Sequence, residues 1–181
     1  MCDVSGAVKH YNKTLLSGVK QSDKHMDGFL KMMKIEFSQM NVKEKHKAIL
    51  SGGILNKRWD ILATDKNRTF AVEFKSILSS RFGRNYSSRV EEAIGVGFDA
   101  RAKNRRVKLG YIIVLENDDN NGFRFYNKIN NFCNSIVQNY KIYNSALAIE
   151  INGDEWNYLY NDYETFVKEL KHKTIFDLLG I

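Results

Sequence analysis

Asp60, Glu73 and Lys75 are ionisable residues inside two otherwise apolar stretches of the sequence, residues 58–62, which begin with Arg58, and residues 72–76. Both stretches have the composition of β-strands, and turn residues between them predict a hairpin. Because side chains alternate across a strand, Glu73 and Lys75 project from one face, and strand pairing can bring Asp60 beside them. The spacing therefore predicts a pocket with two carboxylates and one ammonium group.

Two carboxylates in one pocket suit Mg²⁺, which prefers oxygen ligands and completes its coordination with water and substrate phosphate oxygens. Paired carboxylates raise each other's pKa, whereas a divalent ion and Lys75 keep both ionised. The metal can polarise a phosphate and assist deprotonation of water, while Lys75 orients the nucleophile or stabilises the transition state. This chemistry is hydrolysis. The structural alternative is that Asp60 caps the hairpin and that Glu73 and Lys75 form a solvated cross-strand pair.

The elements that position this pocket alternate between helix and strand. No proline- or serine-rich linker interrupts the 181 residues, so we expect a single domain over residues 1–181. Strands separated by helices indicate an α/β fold, with a mixed central sheet flanked by helices on both faces. Hydrophobic periodicity predicts helices at 4–16 and 26–40, strands at 59–64 and 69–77, a helix ending near 103, a strand at 109–115, a helix at 125–140, a strand at 146–151 and a helix at 163–171.

The charge balance favours a polyanionic partner. Lysine and arginine number 28 against 21 aspartate and glutamate residues, which gives a net charge of +7 and a pI near 9.3. The two cysteines, Cys2 and Cys133, lack CxxC spacing, and the N-terminus lacks the apolar stretch of a signal peptide, so we expect a cytoplasmic protein. The strongest apolar run, at residues 109–115, is shorter than the roughly 18 residues that cross a bilayer, so we expect no membrane association.

A polar segment directly follows the hairpin. Residues 79–87 predict a loop, and Ser88 with Glu91 three residues later has capping-box spacing, which predicts Ser88 as the N-cap of the next helix. The guanidinium, amide and hydroxyl groups here suit contacts with phosphates and base edges, although a solvated loop would look the same. A second cationic run ends this helix, where the helix dipole also favours cations. The candidate DNA-binding residues are Arg81, Arg84, Asn85, Ser87, Ser88, Arg89, Arg105 and Arg106.

Longer stretches carry a more specific resemblance. Residues 57–62 (KRWDIL) and 71–76 (AVEFKS) resemble the catalytic hairpin of the XhoI-like type II restriction endonucleases, and residues 82–95 resemble the segment that follows it in that family. Shorter similarities on either side keep the family's order. The resemblance therefore covers about residues 25–118, the expected catalytic core.

This resemblance implies a PD-(D/E)XK nuclease fold, Mg²⁺ as cofactor and double-stranded DNA as substrate. It also implies a homodimer that cuts a short palindromic site of the CTCGAG type. Carried over to this sequence, Asp60, Glu73 and Lys75 are the catalytic residues, and Asp60 and Glu73 are the metal ligands. Further acidic candidates are Glu92, near the start of the helix after the hairpin, and Glu36 on the second helix. Asp27, on the same second helix, is considered after these two.

Two other functions remain open at this point. A PD-(D/E)XK nuclease of DNA repair or processing would use the same three catalytic residues with a different recognition surface. A noncatalytic DNA-binding module would keep the fold without the chemistry, although the intact catalytic set argues against it. For the homodimer contact, we slightly prefer the Met-rich stripe of the N-terminal helices over the aromatic segment around Trp156, Tyr158 and Tyr160.

Overall fold

The longest apolar runs of the chain form the centre of a mixed sheet, because strands covered on both faces carry apolar side chains on both. The computed structural model describes residues 4–17, 22–44, 47–117, 122–153 and 155–172. In it, β5 (Thr69–Leu78) pairs in parallel with β6 (Val107–Glu116) along its whole length. β6 pairs in parallel with β7 (Ser145–Asn152), and every residue of β6 except the last is buried.

The remaining strands extend this sheet at both edges. β4 (Ile61–Thr64) pairs antiparallel with β5 as the predicted hairpin, and β1 (Asn41–Glu44) pairs antiparallel with β4. β8 (Glu155–Tyr160) pairs antiparallel with β7, so the order across the six-stranded sheet is β1-β4-β5-β6-β7-β8. A separate two-stranded ribbon consists of β2 (Ile49–Ser51) and β3 (Asn56–Arg58).

The helices are α1 (Val4–Leu16), α2 (Ser22–His25), α3 (Asp27–Glu36), α4 (Phe82–Lys103), α5 (Gly122–Asn134) and α6 (Tyr163–Lys171), with a 3-10 turn at Ser79–Arg81 and a π-helical turn at Ser135–Asn139. One face of the sheet is covered by α1, α3 and α6, whose buried residues include Tyr11, Met33 and Phe166. The opposite face is covered by α4 and α5, through Ala93 and Ile129 among others. Among the described residues, no helix has the length and apolar character to cross a membrane.

This arrangement confirms the predicted α/β fold with a mixed central sheet between helices. It also explains the Met-rich stripe, because Met26, Phe29 and Met33 are buried by the chain itself. The hydroxyl of Tyr163 in α6 donates to Met33 Sδ at 3.8 Å. The stripe is therefore core, and its use as a dimer surface, which the sequence slightly favoured, is wrong because its side chains are already covered.

α4 begins well before the residue that the capping pattern predicts. Ser88 lies inside the helix, the segment before it is helical rather than a loop, and Arg81 is the N-cap without a side-chain hydrogen bond. The buried ring of Phe82 stacks on Phe125 and Tyr86 at centroid distances of 4.0 and 4.9 Å. This packing outweighs the local preference of Ser88 for a cap position. The predicted loop and the predicted N-cap are therefore both wrong.

A glycine allows α4 to pack closely against the chain segment before β7. A Cβ atom on Gly97 would lie 2.3 Å from Ile142 Cγ2 and 3.0 Å from the ring of Tyr143. Gly95, in the same helix, faces open space, with nothing within 4 Å of its Cβ position. Gly95 and Gly97 are therefore the same residue type in one helix with opposite packing requirements.

We expect Gly97→Ala to lower the free energy of unfolding by about 1–3 kcal/mol, because the added methyl group overpacks the contact with Ile142 and Tyr143. Gly95→Ala is the matched control and should raise it by about 0.5–1 kcal/mol, since alanine is the better helix former in open space. Urea denaturation of both variants measures the difference. Equal effects would show that this contact is loose.

Candidate active site

Glu73 is buried in the middle of the sheet. It lies on β5 in register with Tyr111 of β6, and only 5% of its surface is exposed. Side chains alternate along β5, so Glu73 and Lys75 face the same side as Ala71 and Ile77, which belong to the core beneath α4. An ion in such a place needs compensating charges or ligands, because burying it alone costs several kcal/mol.

Asp60 stands at the entrance to β4, close to Glu73. Ile61 pairs with Val72, and this register brings Asp60 to the backbone of β5, where its Oδ2 accepts a 2.7 Å hydrogen bond from the N–H of Phe74. Burial, followed by the charge of Glu73, raises the pKa of Asp60 to about 6. The structure thus brings the two carboxylates together, and their mutual repulsion favours a bound cation.

Two lysines share one oxygen of Glu73. Nζ of Lys75 lies 2.6 Å from Glu73 Oε1, and Nζ of Lys57 lies 3.0 Å from the same oxygen. Burial alone would lower the pKa of Lys75, but the negative charges of Glu73 and Glu92 outweigh it and raise that pKa. The second oxygen, Glu73 Oε2, is buried and has no hydrogen-bond partner among the described residues. Glu73 therefore has one neutralised oxygen and one that can accept a ligand.

Lys57 is a member of the site that the sequence analysis did not single out. It lies on β3, so its ammonium group reaches Glu73 from the ribbon rather than from the main sheet. Lys57 stands three residues before Asp60, in the segment that resembles the family's hairpin. That proximity is the signal that could have identified it, because a strand leading directly to Asp60 must pass beside the site.

Glu92 joins the site from α4 and holds its cations together. Its Oε1 lies 2.9 Å from Lys75 Nζ and 3.5 Å from Lys57 Nζ, and its Oε2 lies 3.0 Å from Arg89 Nη1. Burial raises the pKa of Glu92, but the hydrogen bond and charge of Lys75, with contributions from Arg89 and Lys57, lower it to about 2. Glu92 therefore acts on the site through the lysines. We call Lys57, Asp60, Glu73, Lys75 and Glu92 the charged cluster.

The other acidic candidates lie away from the charged cluster. Glu36 ends α3, on the face of the sheet opposite to α4. Its carboxylate forms an ion pair with Lys171 of α6, and its backbone carbonyl accepts a 3.2 Å hydrogen bond from the same ammonium group. Asp27 belongs to the same helix. The sheet separates this helix from Glu73, so the structure does not bring Glu36 or Asp27 to the site.

The candidate DNA-binding residues form two groups rather than one. α4 has 22 residues and is about 33 Å long at 1.5 Å per residue, and the groups lie at its two ends. The group nearer the charged cluster consists of Arg81, Arg84, Asn85, Ser87, Ser88 and Arg89. Arg89 is engaged with Glu92, whereas Arg84, Ser87 and Ser88 are exposed. Arg105 and Arg106 lie beyond the far end, where they line a cavity of about 710 Å³ with Arg101, Lys141 and Lys168.

The charged cluster fits a hard divalent cation. Asp60 and Glu73 offer oxygen ligands, and Glu73 Oε2 is a buried acceptor without a partner in the described structure. The described residues contain no group of three or more His, Cys, Asp or Glu that could enclose a metal ion. A metal held here by two carboxylates would complete its coordination with water or substrate oxygens, which is how proteins commonly bind Mg²⁺.

Comparisons with known proteins point to one family. The family described as "Restriction endonuclease XhoI" matches residues 4–120. The type II restriction enzyme BstVI of Geobacillus stearothermophilus is 34% identical over 119 residues, which are 55% of this chain and 53% of BstVI. The type II restriction enzyme XhoI of Xanthomonas vasicola is 34% identical over 96 residues, or 48% of this chain and 39% of XhoI. AbrI of Azospirillum brasilense, also named a type II restriction enzyme, is 30% identical over 110 residues, which are 51% of this chain and 49% of AbrI. The chain thus spans about half the length, or less, of these relatives.

We expect Glu92 to shape the stability of the protein in acid. Its folded pKa of about 2 lies below the ordinary value of 4.5, so its ionic contacts stabilise the fold above pH 4.5 and are lost as the pH falls towards 2. Over this interval the free energy of unfolding should fall by about 1 kcal/mol more in the unsubstituted protein than in Glu92→Gln, a value reduced for solvent screening of a partly exposed group. Urea denaturation across the interval measures both profiles, and parallel profiles would contradict the assignment.

Proposed function

Because the chain belongs to the XhoI restriction endonuclease family, we propose that it is a Mg²⁺-dependent endonuclease that hydrolyses phosphodiester bonds of double-stranded DNA at a short palindromic site of the CTCGAG type. One observation carries the proposal. Glu73 is a buried carboxylate with one oxygen neutralised by two lysines and the other unpartnered, next to the second carboxylate of Asp60. Most buried side-chain oxygens in proteins have a hydrogen-bond partner, so the unpartnered oxygen of Glu73 beside the carboxylate of Asp60 supports a bound cation.

Asp60 and Glu73 are the proposed ligands of the metal ion, in the manner of a PD-(D/E)XK nuclease. Held by these two carboxylates, Mg²⁺ would supply Lewis-acid chemistry towards the scissile phosphate and a water molecule. The hydrogen bond from the N–H of Phe74 fixes the orientation of Asp60, so its second oxygen keeps a constant direction. Because Glu73 is buried, a metal ion can approach it only from the side of the unpartnered Oε2.

We propose that Lys75 stabilises the transition state electrostatically. Its ammonium group is held between Glu73 and Glu92 at 2.6 and 2.9 Å, so it remains charged and points into the site before substrate arrives. A group fixed in this way can orient the attacking water and stabilise the negative charge that develops on the phosphate. Lys57 shares both carboxylate partners and is the second cation of the site.

The DNA is expected to lie across the charged cluster and the first half of α4. The exposed Arg84, Ser87 and Ser88 flank Glu92 on this helix and offer donors for the phosphate backbone. The second basic group, around Arg105 and Arg106, lies at the far end of α4, and a duplex of about ten base pairs is long enough to reach both. The net charge of +7 supports a polyanionic substrate.

The working unit is proposed to be a homodimer. By the resemblance, each chain has one catalytic set, Asp60, Glu73 and Lys75. A double-strand break requires two such sets, because two strands of opposite polarity must be hydrolysed. A two-fold axis shared by protein and duplex gives each strand an identical centre and makes the recognised site a palindrome. Of the two surfaces suggested by the sequence, the aromatic one remains, since Trp156 and Tyr158 are half-buried on the edge strand β8.

Digestion of a large duplex DNA with purified protein and Mg²⁺ should give discrete fragments. Asp60→Asn and Glu73→Gln should each abolish cleavage, because they remove metal-ligand charge, while duplex binding persists. Mg²⁺ should also raise the thermal unfolding temperature of the unsubstituted protein, and this shift should disappear in Glu73→Gln. Glu91→Gln is the matched control, since Glu91 is exposed on α4 and should keep both properties. Full cleavage by Glu73→Gln would refute the proposal.

The two lysines should differ in importance. Lys75→Ala should lower the cleavage rate by at least about 10²-fold, the scale of removing one electrostatic contact in the transition state. Lys57→Ala should lower it by about tenfold, because Lys75 still neutralises Glu73 Oε1. The exposed Lys66, in the hairpin turn, provides the control substitution Lys66→Ala. Single-turnover cleavage rates decide the order, and equal losses for Lys75 and Lys57 would show that neither has a separate role.

A further inference from the structure

The ribbon of β2 and β3 lies against the charged cluster and is held there at its base. Lys57 of β3 contacts Glu73, and the chain continues from the ribbon through the buried Trp59 to Asp60. The backbone N–H of Trp59 donates a 2.8 Å hydrogen bond to the carbonyl of Ala48, at the start of the ribbon. β3 thus contacts the charged cluster directly, and this hydrogen bond joins the start of β2 to the same end of the ribbon.

The ribbon has an inner and an outer face. Leu50 and Lys57 are paired and face inwards, Leu50 against the core beneath α4 and Lys57 towards the charged cluster. Alternation turns the cross-strand pair Ile49 and Arg58 to the outside, and Asn56 follows on the same side. All three of these outer residues are exposed. The outer face thus combines a guanidinium, an amide and an aliphatic group.

Asp99 of α4 holds the tip of the ribbon in one conformation. Its carboxylate accepts hydrogen bonds of 2.6 and 3.1 Å from the backbone N–H groups of Ile54 and Leu55, and its carbonyl accepts one of 2.9 Å from Gly53. A Cβ atom on Gly52 would lie 1.8 Å from Asp99 Oδ2, so a glycine is needed for this approach. Despite this ordered backbone, the side chains of Ile54 and Leu55 are 91% and 60% exposed.

We propose that the outer face and tip of this ribbon enter the major groove of duplex DNA and determine the recognised sequence; the proposal rests on the nuclease function proposed above. A two-stranded β-ribbon fits the major groove. There, arginine pairs with guanine, asparagine pairs with adenine, and aliphatic side chains contact the methyl group of thymine. Arg58, Asn56 and Ile54 offer these three kinds of contact along the ribbon, from its base at the charged cluster to its tip at Asp99.

Charge and order favour DNA over another protein as the occupant. Residues 47–59 include Lys47, Lys57 and Arg58 and no acidic residue, which complements a polyanionic groove. Because Asp99 already orders the backbone of the tip, the tip loses little conformational entropy on binding. This low entropic cost favours residues at the tip as contacts that discriminate between bases. The alternative occupant is a second copy of the chain, since exposed aliphatic side chains also occur at dimer contacts.

The test separates recognition from cleavage by using the Glu73→Gln protein as the background. Three proteins each select sequences from a randomised duplex library. They are Glu73→Gln alone, Glu73→Gln with Asn56→Ala/Arg58→Ala, and Glu73→Gln with Ile54→Ser/Leu55→Ser. We expect each ribbon variant to lose about ten- to a hundredfold of its preference at one or more base pairs of the selected motif. Ile35→Ser, on the opposite face of the sheet and likewise exposed, is the matched control and should keep the motif. Thermal melting checks that all variants fold.

Three results would overturn the proposal. An unchanged motif in both ribbon variants would move sequence recognition elsewhere while leaving the nuclease function intact. Conversion of a dimer to a monomer by Ile54→Ser/Leu55→Ser in sedimentation, with the motif unchanged, would make the tip a contact between copies. Failure of the background protein to select any motif, together with no discrete fragments from the unsubstituted chain, would refute the proposed function and the ribbon's role with it.

Discussion

Glu73 carries a negative charge in the middle of a sheet whose neighbouring side chains are apolar, and the surrounding elements are arranged to compensate that charge. Lys57 from the ribbon and Lys75 from β5 neutralise one oxygen, and Glu92 from α4 keeps both lysines in place. Since an uncompensated buried ion costs several kcal/mol, these elements cannot move independently. The geometry of the site and the packing of α4 on the sheet therefore depend on each other.

The sequence predicts well those elements that local pattern determines. The hairpin of β4 and β5, the buried strand β6 and the helix α6 were all expected close to where they lie, because long apolar runs and helical periodicity leave few alternatives. The ribbon and β1 were not expected, since these strands are short or largely polar and exist through pairing with distant partners. β8 was not expected either, although its alternation of polar and aromatic residues is typical of an edge strand. Similarly, α4 extends to Phe82 because a ring packs against α5, which no local rule reveals.

For the site, alternation along one strand was enough to group Glu73 with Lys75, and the hairpin added Asp60. What could not be predicted was the side of the sheet on which each helix packs. Glu92 and Glu36 looked equivalent as helical carboxylates, but α4 covers the face that carries Glu73, whereas α3 covers the other. The choice of face depends on the crossover connections and on the total apolar surface of each helix, both of which are properties of the whole chain.

The sequence separations within the charged cluster have a consequence for how the protein reaches its native state. Asp60 contacts β5 across 14 residues, Lys57 contacts Glu73 across 16, and Glu92 of the crossover helix contacts Lys75 across 17. Both carboxylates and both ammonium groups thus lie within residues 57–75, and closing such short loops is fast and entropically cheap. The segment of residues 57–75 therefore carries two negative and two positive site charges before α4 contributes Glu92. A segment that closes with Lys57 and Lys75 in place does not bring Asp60 and Glu73 together as two uncompensated carboxylates.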